Sequence, residues 1–321
     1  MPSAYLSALG MMGRRHLKGL ARAGFTVFAY DPDPAAYATA RAELAQAGLP
    51  ADCLCSDAVL PESLDVAVFS ETTTARLGNF RRLLSRTRVG RVLLEKPISA
   101  DPAEYATFLD VAREHGVAER TQVNFIRRTW PHVRRLADLC AGERQFAVTL
   151  NGGAVGLGCN GIHYLDTFLC LAGDEIPAVR WAALSAEPVK SGRGSQFEDF
   201  GGDFVLEGSR GRLFASLSAG SSANVVMTVR GSHFMALVDF GDMQWKLSCR
   251  KGDSALPLYR YGADYELVEE GRLVLPAMDS LTEDWSLGRI QLPTLERGLA
   301  AHHLLDGILR AGGARPPYRF T

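Results

Sequence analysis

Arg91-Val-Leu-Leu-Glu-Lys-Pro-Ile-Ser99 is the stretch on which the fold of this 321-residue chain turns. Arg91 to Leu94 reads as a short buried parallel strand, and Glu95-Lys96-Pro97 then breaks it. Pro97 cannot donate to a sheet ladder and restricts Lys96 to an extended conformation, so the lysine is held at a strand's carboxyl end. In open α/β sheets that edge is where ligands bind. A lysine there can hold a hydroxyl or exchange a proton with it, because its ammonium is a compact donor whose pKa falls readily on burial. Taken alone, the tripeptide reads more plainly as a solvated loop lysine. The residues upstream decide between the two.

Upstream, strand and helix alternate. Strands are expected at Ala4–Leu9, Thr26–Tyr30 and Val66–Ser70, and helices at Met12–Ala23, 35–47 and Thr74–Ser85. A further helix over 102–115 is started by Asp101-Pro102 and ended by Gly116. Short connections of this kind imply a right-handed, parallel, doubly wound sheet.

After Gln122 the texture changes. Helices are expected at Pro131–Cys140 and from Ile162 to Ala172, on either side of a strand at 145–150 and a Gly-rich loop at 152–161. Strand-like runs follow at 178–185, 201–207, 211–218, 224–230, 234–240 and 243–249, closely spaced and separated by Gly-rich turns, the mark of an antiparallel sheet. The fold class is therefore α/β. An N-terminal Rossmann doubly wound parallel sheet (1–122) is expected to precede a C-terminal α+β domain (123–321) with a large, mostly antiparallel open sheet. Helices would cover one face of that sheet, and the other would pair two subunits into a homodimer or homotetramer. A closing amphipathic helix, 294–311, turns Leu295, Leu299, Leu304, Leu305 and Ile308 toward a core.

Composition narrows the function classes. The chain is 47% hydrophobic and 22% charged, ordinary values for a soluble globular protein. A net charge of −1 gives no electrostatic case for nucleic acid or an anionic membrane as partner. The six cysteines form no CxxC and no regular framework, so reduced thiols are expected, and no metal site. The amino terminus lacks a basic leader region, and no run approaches the roughly 18 apolar residues of a membrane span. A cytoplasmic protein is expected.

Ala8-Leu-Gly10-Met11-Met12-Gly13 lies between the first strand and the first helix and carries the dinucleotide fingerprint with alanine in its first position. Gly10 would let backbone approach a pyrophosphate, Gly13 would let helix and strand pack closely, and the helix amino end would stabilise negative charge. Asp31, ending the second strand, is placed to accept hydrogen bonds from ribose hydroxyls and to repel a 2′-phosphate, which favours NAD over NADP. Arg14, on a basic first helix that is otherwise a solvated face, is the residue best placed to reach a phosphate.

With these motifs in place the chain resembles the glucose–fructose oxidoreductase/inositol dehydrogenase (Gfo/Idh/MocA) family. The resemblance is carried by Met11-Met-Gly-Arg-Arg-His16, Asp31-Pro-Asp-Pro, the Glu95-Lys96-Pro97 stretch, Val123-Asn-Phe-Ile-Arg-Arg128 and Gly161-Ile-His-Tyr-Leu-Asp166. It covers the first 175 residues well and the rest by texture. It implies hydride transfer between a nicotinamide cofactor and a carbinol or keto carbon of a sugar, polyol or nucleotide-linked sugar. Lys96 would lie beside nicotinamide and substrate, with His163 as general acid/base or hydroxyl ligand. Histidine suits proton exchange near neutrality, and Asp166 shares its helix face and could orient the ring. A histidine packed for structure is the plainer alternative. The resemblance further places Glu95 and Asn124 on the cofactor side, and Arg128 and Asn160 on the substrate side.

Two departures stand out. Many members carry an aspartate four residues before the histidine, where this chain has Cys159, either a substrate-side residue or a small packing one. Secondly, Ser70-Glu71-Thr72-Thr73-Thr74 replaces a Thr-Pro pair, with Arg76 where a histidine is common; Ser70, Glu71 and Thr72 are still expected to line the nicotinamide side. The departures keep two alternatives open: a non-catalytic NAD-binding sensor or assembly protein, and a reductase of an unsaturated or imine substrate. The loop Lys190–Ser195 and the segment around Trp245 are expected to set the substrate. Arg127, Arg128, Lys190 and Arg193 are the candidates for gripping a charged one.

Overall fold

Near-continuous apolar runs with short connections build the first sheet, as parallel strands buried on both faces require. In the computed structural model, which describes residues 1–191 and 194–320, these runs are β1 (Ser3–Ser7), β2 (Thr26–Tyr30), β3 (Leu54–Ser56), β4 (Ser63–Phe69), β5 (Arg88–Leu94) and β6 (Thr121–Val123). All pair in parallel in the order β3-β2-β1-β4-β5-β6. The helices between them are α1 (Met11–Arg22), α2 (Pro34–Gln46), α3 (Thr73–Leu84) and α4 (Glu104–Glu114). Strand order reverses between β1 and β4, so a crevice opens at their carboxyl ends. Lys96 follows β5 at the same edge.

The second sheet has eight strands in the order β16-β15-β14-β13-β7-β12-β11-β8. They are β7 (Phe146–Gly152), β8 (Ala178–Leu184), β11 (Gly202–Glu207), β12 (Gly211–Leu217), β13 (Val226–Arg230), β14 (Phe234–Asp239), β15 (Gln244–Arg250) and β16 (Tyr265–Arg272). Only β7 and β12 run parallel; the remaining pairs are antiparallel. A small hairpin, β9 (Val189–Lys190) with β10 (Glu198–Asp199), stands apart. Alternation sets the two faces. On β12, Leu213, Ala215 and Leu217 point into a core shared with α5 (Pro131–Ala141), α6 (Ile162–Leu171) and α8 (Leu295–Ala311), while Phe214 lies on the open side. No described helix is long and apolar enough to cross a membrane.

Strand β6 extends to Val123, and α7 (Met278–Ser286), which has no counterpart in the sequence reading, returns to pack on α1. There Gly19 is obligatory, since a Cβ would stand 2.3 Å from the Asp279 carbonyl oxygen. Trp285 is fully buried and donates to Gln122 at 2.8 Å, and the Arg91 guanidinium lies 5.0 Å from its ring. The end of the chain is also tucked inward: Tyr318 N–H donates to the Ala100 carbonyl at 2.9 Å, and Thr73 donates to the Phe320 carbonyl at 3.2 Å. Short or irregular pieces such as β3, β6, β9 and β10 carry too few residues for a period, and β16 has both faces largely exposed, so neither left a hydrophobic signature.

Ala8 adopts φ +70°, a left-handed conformation suited to glycine, and its N–H donates to the Tyr30 carbonyl at 2.7 Å. An L side chain there costs about 1–2 kcal/mol, partly offset by the greater unfolded-state freedom of glycine. Ala8→Gly is therefore expected to stabilise the protein by about 0.5–1 kcal/mol in urea unfolding. Unchanged or lower stability would show that the surroundings hold the methyl group favourably.

Candidate active site

The turn that carries Lys96 is tied down at nearly every backbone polar group. Arg76, buried on α3, donates to the carbonyls of Glu95 at 2.7 Å and Ile98 at 3.1 Å, and also to those of Pro97 and Glu71. Glu95 N–H donates to the Phe69 carbonyl at 2.9 Å, and the Lys96–Pro97 peptide is cis. From α8, His302 accepts the Ile98 N–H at Nε2 (2.8 Å) and donates from Nδ1 to Gly298 (2.8 Å). Burial, with nearby cations, pushes its pKa down to about 3, which suits this neutral role. Arg76 thus acts as a clamp on the turn that carries Lys96.

The Glu95 side chain, expected on the cofactor side, is engaged by His16 and Asn124. Its Oε1 accepts from Asn124 Nδ2 at 2.5 Å and pairs with His16 Nε2 at 2.8 Å. His16 is fully buried, and its Nδ1 reaches Thr282 of α7 at 2.8 Å. Burial alone would raise the Glu95 pKa; His16, Lys96 and Asn124 overcome that and hold it down at about 2. Asn124 is committed to the same network, although its buried Oδ1 has no partner among the described residues.

A cleft of about 610 Å³ at the β1/β4 reversal is lined by Ala8, Gly10, Met11, Met12, Tyr30, Asp31, Ser70, Glu71 and Thr72, among others. Gly10 caps α1, and a Cβ there would meet nothing within 4 Å. A Cβ on Gly13 would lie 2.0 Å from the Ala8 carbonyl oxygen, so only glycine lets α1 seat on β1. Asp31 accepts from Leu9 N–H at 2.6 Å and Asp33 N–H at 2.9 Å, which fixes its carboxylate at the crevice edge. Ser70 spends its hydroxyl on the Ser7 carbonyl at 2.8 Å. Glu71 accepts from Asn79 at 3.2 Å, its Oε2 is buried without a partner among the described residues, and burial raises its pKa. These three residues after β4 thus share a cleft with Asp31 and Tyr30. Arg14, in contrast, is engaged by Glu43 at 2.6 Å and by the Leu9 carbonyl at 2.9 Å.

Lys96 Nζ donates to the Cys159 carbonyl at 2.5 Å. That carbonyl is held in a wide turn, Leu157–Gly161, that runs straight into α6 and His163. Asp199 fixes the turn by accepting the N–H groups of Gly158 and Cys159, each at 2.8 Å. Asn160 is exposed, with its side chain bonded to the Val155 carbonyl at 3.2 Å. His163 is buried, its Nδ1 has no partner among the described residues, and burial, Lys96 and Arg127 push its pKa well down.

Asp166 does not orient the His163 ring. It is fully buried and takes Arg128 in a bidentate pair at 2.8–3.0 Å, while Arg128 also holds Asp174 at 2.7 Å. Burial pushes Asp166 up to about 6 against the pull of Arg128. Arg128, expected on the substrate side, and Asp166 therefore satisfy each other as a bidentate pair. Trp245 lies within β15, 6.4 Å from the His132 ring, and Lys190 is exposed in β9. Gly192 and Arg193 fall outside the described residues. Sequence reasoning missed Asp199, His16 and His302, whose partners lie 40 to 266 positions away and left no local pattern.

The low Glu95 pKa generates a test. A carboxyl held at about 2 instead of its ordinary 4.5 contributes stability that is fully present above pH 4.5 and lost as pH falls toward 2. Glu95→Gln should remove about 3 kcal/mol near pH 7 and flatten the acid limb of stability against pH. An acid limb unchanged from the parent protein would place the stabilising ionisation elsewhere.

No protein-family profile and no curated protein matches the sequence. Solved structures do match. UDP-N-acetylglucosamine 3-dehydrogenase GnnA from Acidithiobacillus ferrooxidans is 20% identical with a TM-score of 0.68, over 99% of this chain and 97% of that one. A Gfo/Idh/MocA family oxidoreductase from Vibrio cholerae is 18% identical with a TM-score of 0.66, over 97% of each chain. A super-repressor mutant of Gal80p from Saccharomyces cerevisiae is 13% identical with a TM-score of 0.70, over 97% of this chain and 96% of that one. Across its whole length, the chain has the Gfo/Idh/MocA fold that its motifs resemble.

Proposed function

We propose that the protein is an NAD-dependent oxidoreductase that interconverts a carbinol and a carbonyl on a sugar- or polyol-type substrate. One observation carries the reading: Lys96 is presented at the carboxyl end of β5, against the Cys159 carbonyl and within electrostatic reach of a neutral His163. The dinucleotide cleft opens at the same sheet edge, after β1 and β4.

The residues of that cleft fit a dinucleotide. Gly10 leaves its backbone open to approach, the amino end of α1 offers N–H groups to a pyrophosphate, and Glu71 Oε2 is a buried acceptor free for a hydroxyl. Asp31 would take the ribose hydroxyls. The nicotinamide, when bound, supplies or accepts the hydride. Lys96 orients the substrate hydroxyl and moves its proton. His163, uncharged at neutral pH, accepts a hydrogen bond from that hydroxyl or takes its proton. The clamp by Arg76 and His302 keeps the ammonium in place without an adjacent aspartate, and Asp199 positions the Cys159 carbonyl through backbone bonds. A GnnA-like dehydrogenase activity on a nucleotide-linked sugar is one form of this reading.

The fold also hosts a repressor, so a binding-only role is the competing reading. Lys96 and His163 favour chemistry, since a binding protein needs neither. The reading extends to assembly. Trp181 (52% exposed), Phe214 (43%) and Met235 (50%) lie on the open sheet face, which would pair with a second copy; a monomer mass in light scattering would rule this out.

Lys96→Ala should lower turnover by about 10²–10⁴-fold while NADH binding, followed by fluorescence, stays within about threefold. Full activity in that variant would refute the proton role. NADH should bind at least about tenfold tighter than NADPH, and Asp31→Ser should narrow that gap. Equal affinity in the parent protein would remove the role assigned to Asp31.

A further inference from the structure

Beside His163 lies a cluster that hydride transfer alone does not explain. Arg127 follows the β6 linker, and its guanidinium carbon is 3.9 Å from the Tyr164 ring, 5.3 Å from Trp130 and 5.4 Å from Phe240. Trp130 lies against His132, with ring centres 5.5 Å apart. Arg128 next door is neutralised by two aspartates, but no carboxylate among the described residues lies within ion-pair distance of Arg127. Its Nη1 is buried without a hydrogen-bond partner among those residues. So are Trp130 Nε1, His132 Nε2 and His163 Nδ1. Trp130, His132 and His163 are each more than nine-tenths buried. Thus four unsatisfied buried nitrogens belong to one small group, where most buried polar atoms in a folded protein are paired.

The electrostatics agree. Burial lowers the Arg127 pKa, and the Arg127 charge joins burial in driving the pKa of His132 down to about 4 and that of His163 below its usual range. A desolvated cation, an indole donor and two imidazoles form a site short of negative charge. Stacking on three aromatic faces holds the guanidinium in position at some desolvation cost. An anion entering this space would recover that cost and satisfy firm donors from Arg127 and Trp130.

We propose that Arg127, with Trp130 and His132, anchors an anionic group of the substrate, a carboxylate or a phosphate, beside His163. The inference rests on the dehydrogenase reading, and it makes the substrate a sugar acid or sugar phosphate whose reacting carbinol lies between Lys96 and His163. Arg127 is then a specificity residue, and discrimination against neutral sugars follows from leaving its charge unpaired.

Intrinsic tryptophan fluorescence tests this, because Trp130 belongs to the site. NADH-loaded protein is titrated with acetate, inorganic phosphate, glucuronate, glucose 6-phosphate and glucose. Saturation is expected for at least one anionic sugar, at least about tenfold tighter than for glucose. The better of glucuronate and glucose 6-phosphate identifies the group. Arg127→Gln should abolish that preference and Trp130→Phe, read from the remaining tryptophans, should weaken it, both with NADH binding and melting temperature near those of the parent protein. Equal binding of charged and neutral sugars, no response to any anion, or a preference that survives Arg127→Gln would overturn the proposal and leave the cluster a hydrated structural feature. Failure of NADH to bind would count against the dehydrogenase reading instead, since the anion titration can be read without cofactor.

Discussion

A single buried guanidinium fixes the turn that carries Lys96. Arg76 gathers the carbonyls of Glu71, Glu95, Pro97 and Ile98 and so joins the ends of β4 and β5 into one rigid edge. Burying a cation is costly, and hydrogen bonds to several carbonyl dipoles offset that cost. Lysine could not replace it, because one ammonium cannot reach four diverging acceptors from a single rotamer. Lys96 owes its position to this arrangement: the carbonyls around it are fixed, and only its long side chain is free to reach across to the Cys159 loop.

The network around Glu95 does for the two layers what Arg76 does for the turn. His16 of α1 and Asn124 after β6 converge on one carboxylate, and Thr282 of α7 joins them through the other nitrogen of His16, so three separate stretches of chain are tied to one ionised centre. Between them the Lys96 turn is held from below by Glu95 and from the side by His302. Asp199 plays the matching part on the opposite wall, where two backbone N–H groups hold the Cys159 loop against the ammonium.

Where local chemistry speaks, the sequence was legible. The strand–glycine–helix opening, Asp31 closing β2 and the Glu95-Lys96-Pro97 break each depend on neighbours within a few residues, and they led to the parallel sheet and its crevice. Closely spaced strand-like runs between Gly-rich turns likewise revealed the antiparallel strands from 178 to 249. Partnerships across the fold were not legible. Glu95 reads as a crevice residue because it adjoins Lys96, yet its charge is consumed by His16, 79 positions away. Asp166 and Arg128 look like functional residues one at a time and prove to be each other's partners. Arg76 reads as a departure from pattern, and only the three-dimensional convergence of carbonyls explains it. α7 was missed because its Met-Asp-Ser-Leu-Thr-Glu-Asp-Trp-Ser stretch buries only four residues, against a helix nearly the whole chain away.

The return of α7 and the tail onto the first sheet has a consequence for how the molecule is assembled. The amino-terminal layer is completed by chain from the far end of the sequence, since Trp285 closes one side of it and Phe320 reaches the helix that carries Arg76. During synthesis the first 123 residues can form helices and pair strands, but the pocket around His16 and Glu95 stays open until residues near 282 emerge. Contacts spanning that much sequence make closure slow and leave apolar surface exposed in the interval. The Glu95 network beside the crevice therefore depends on chain made long after it.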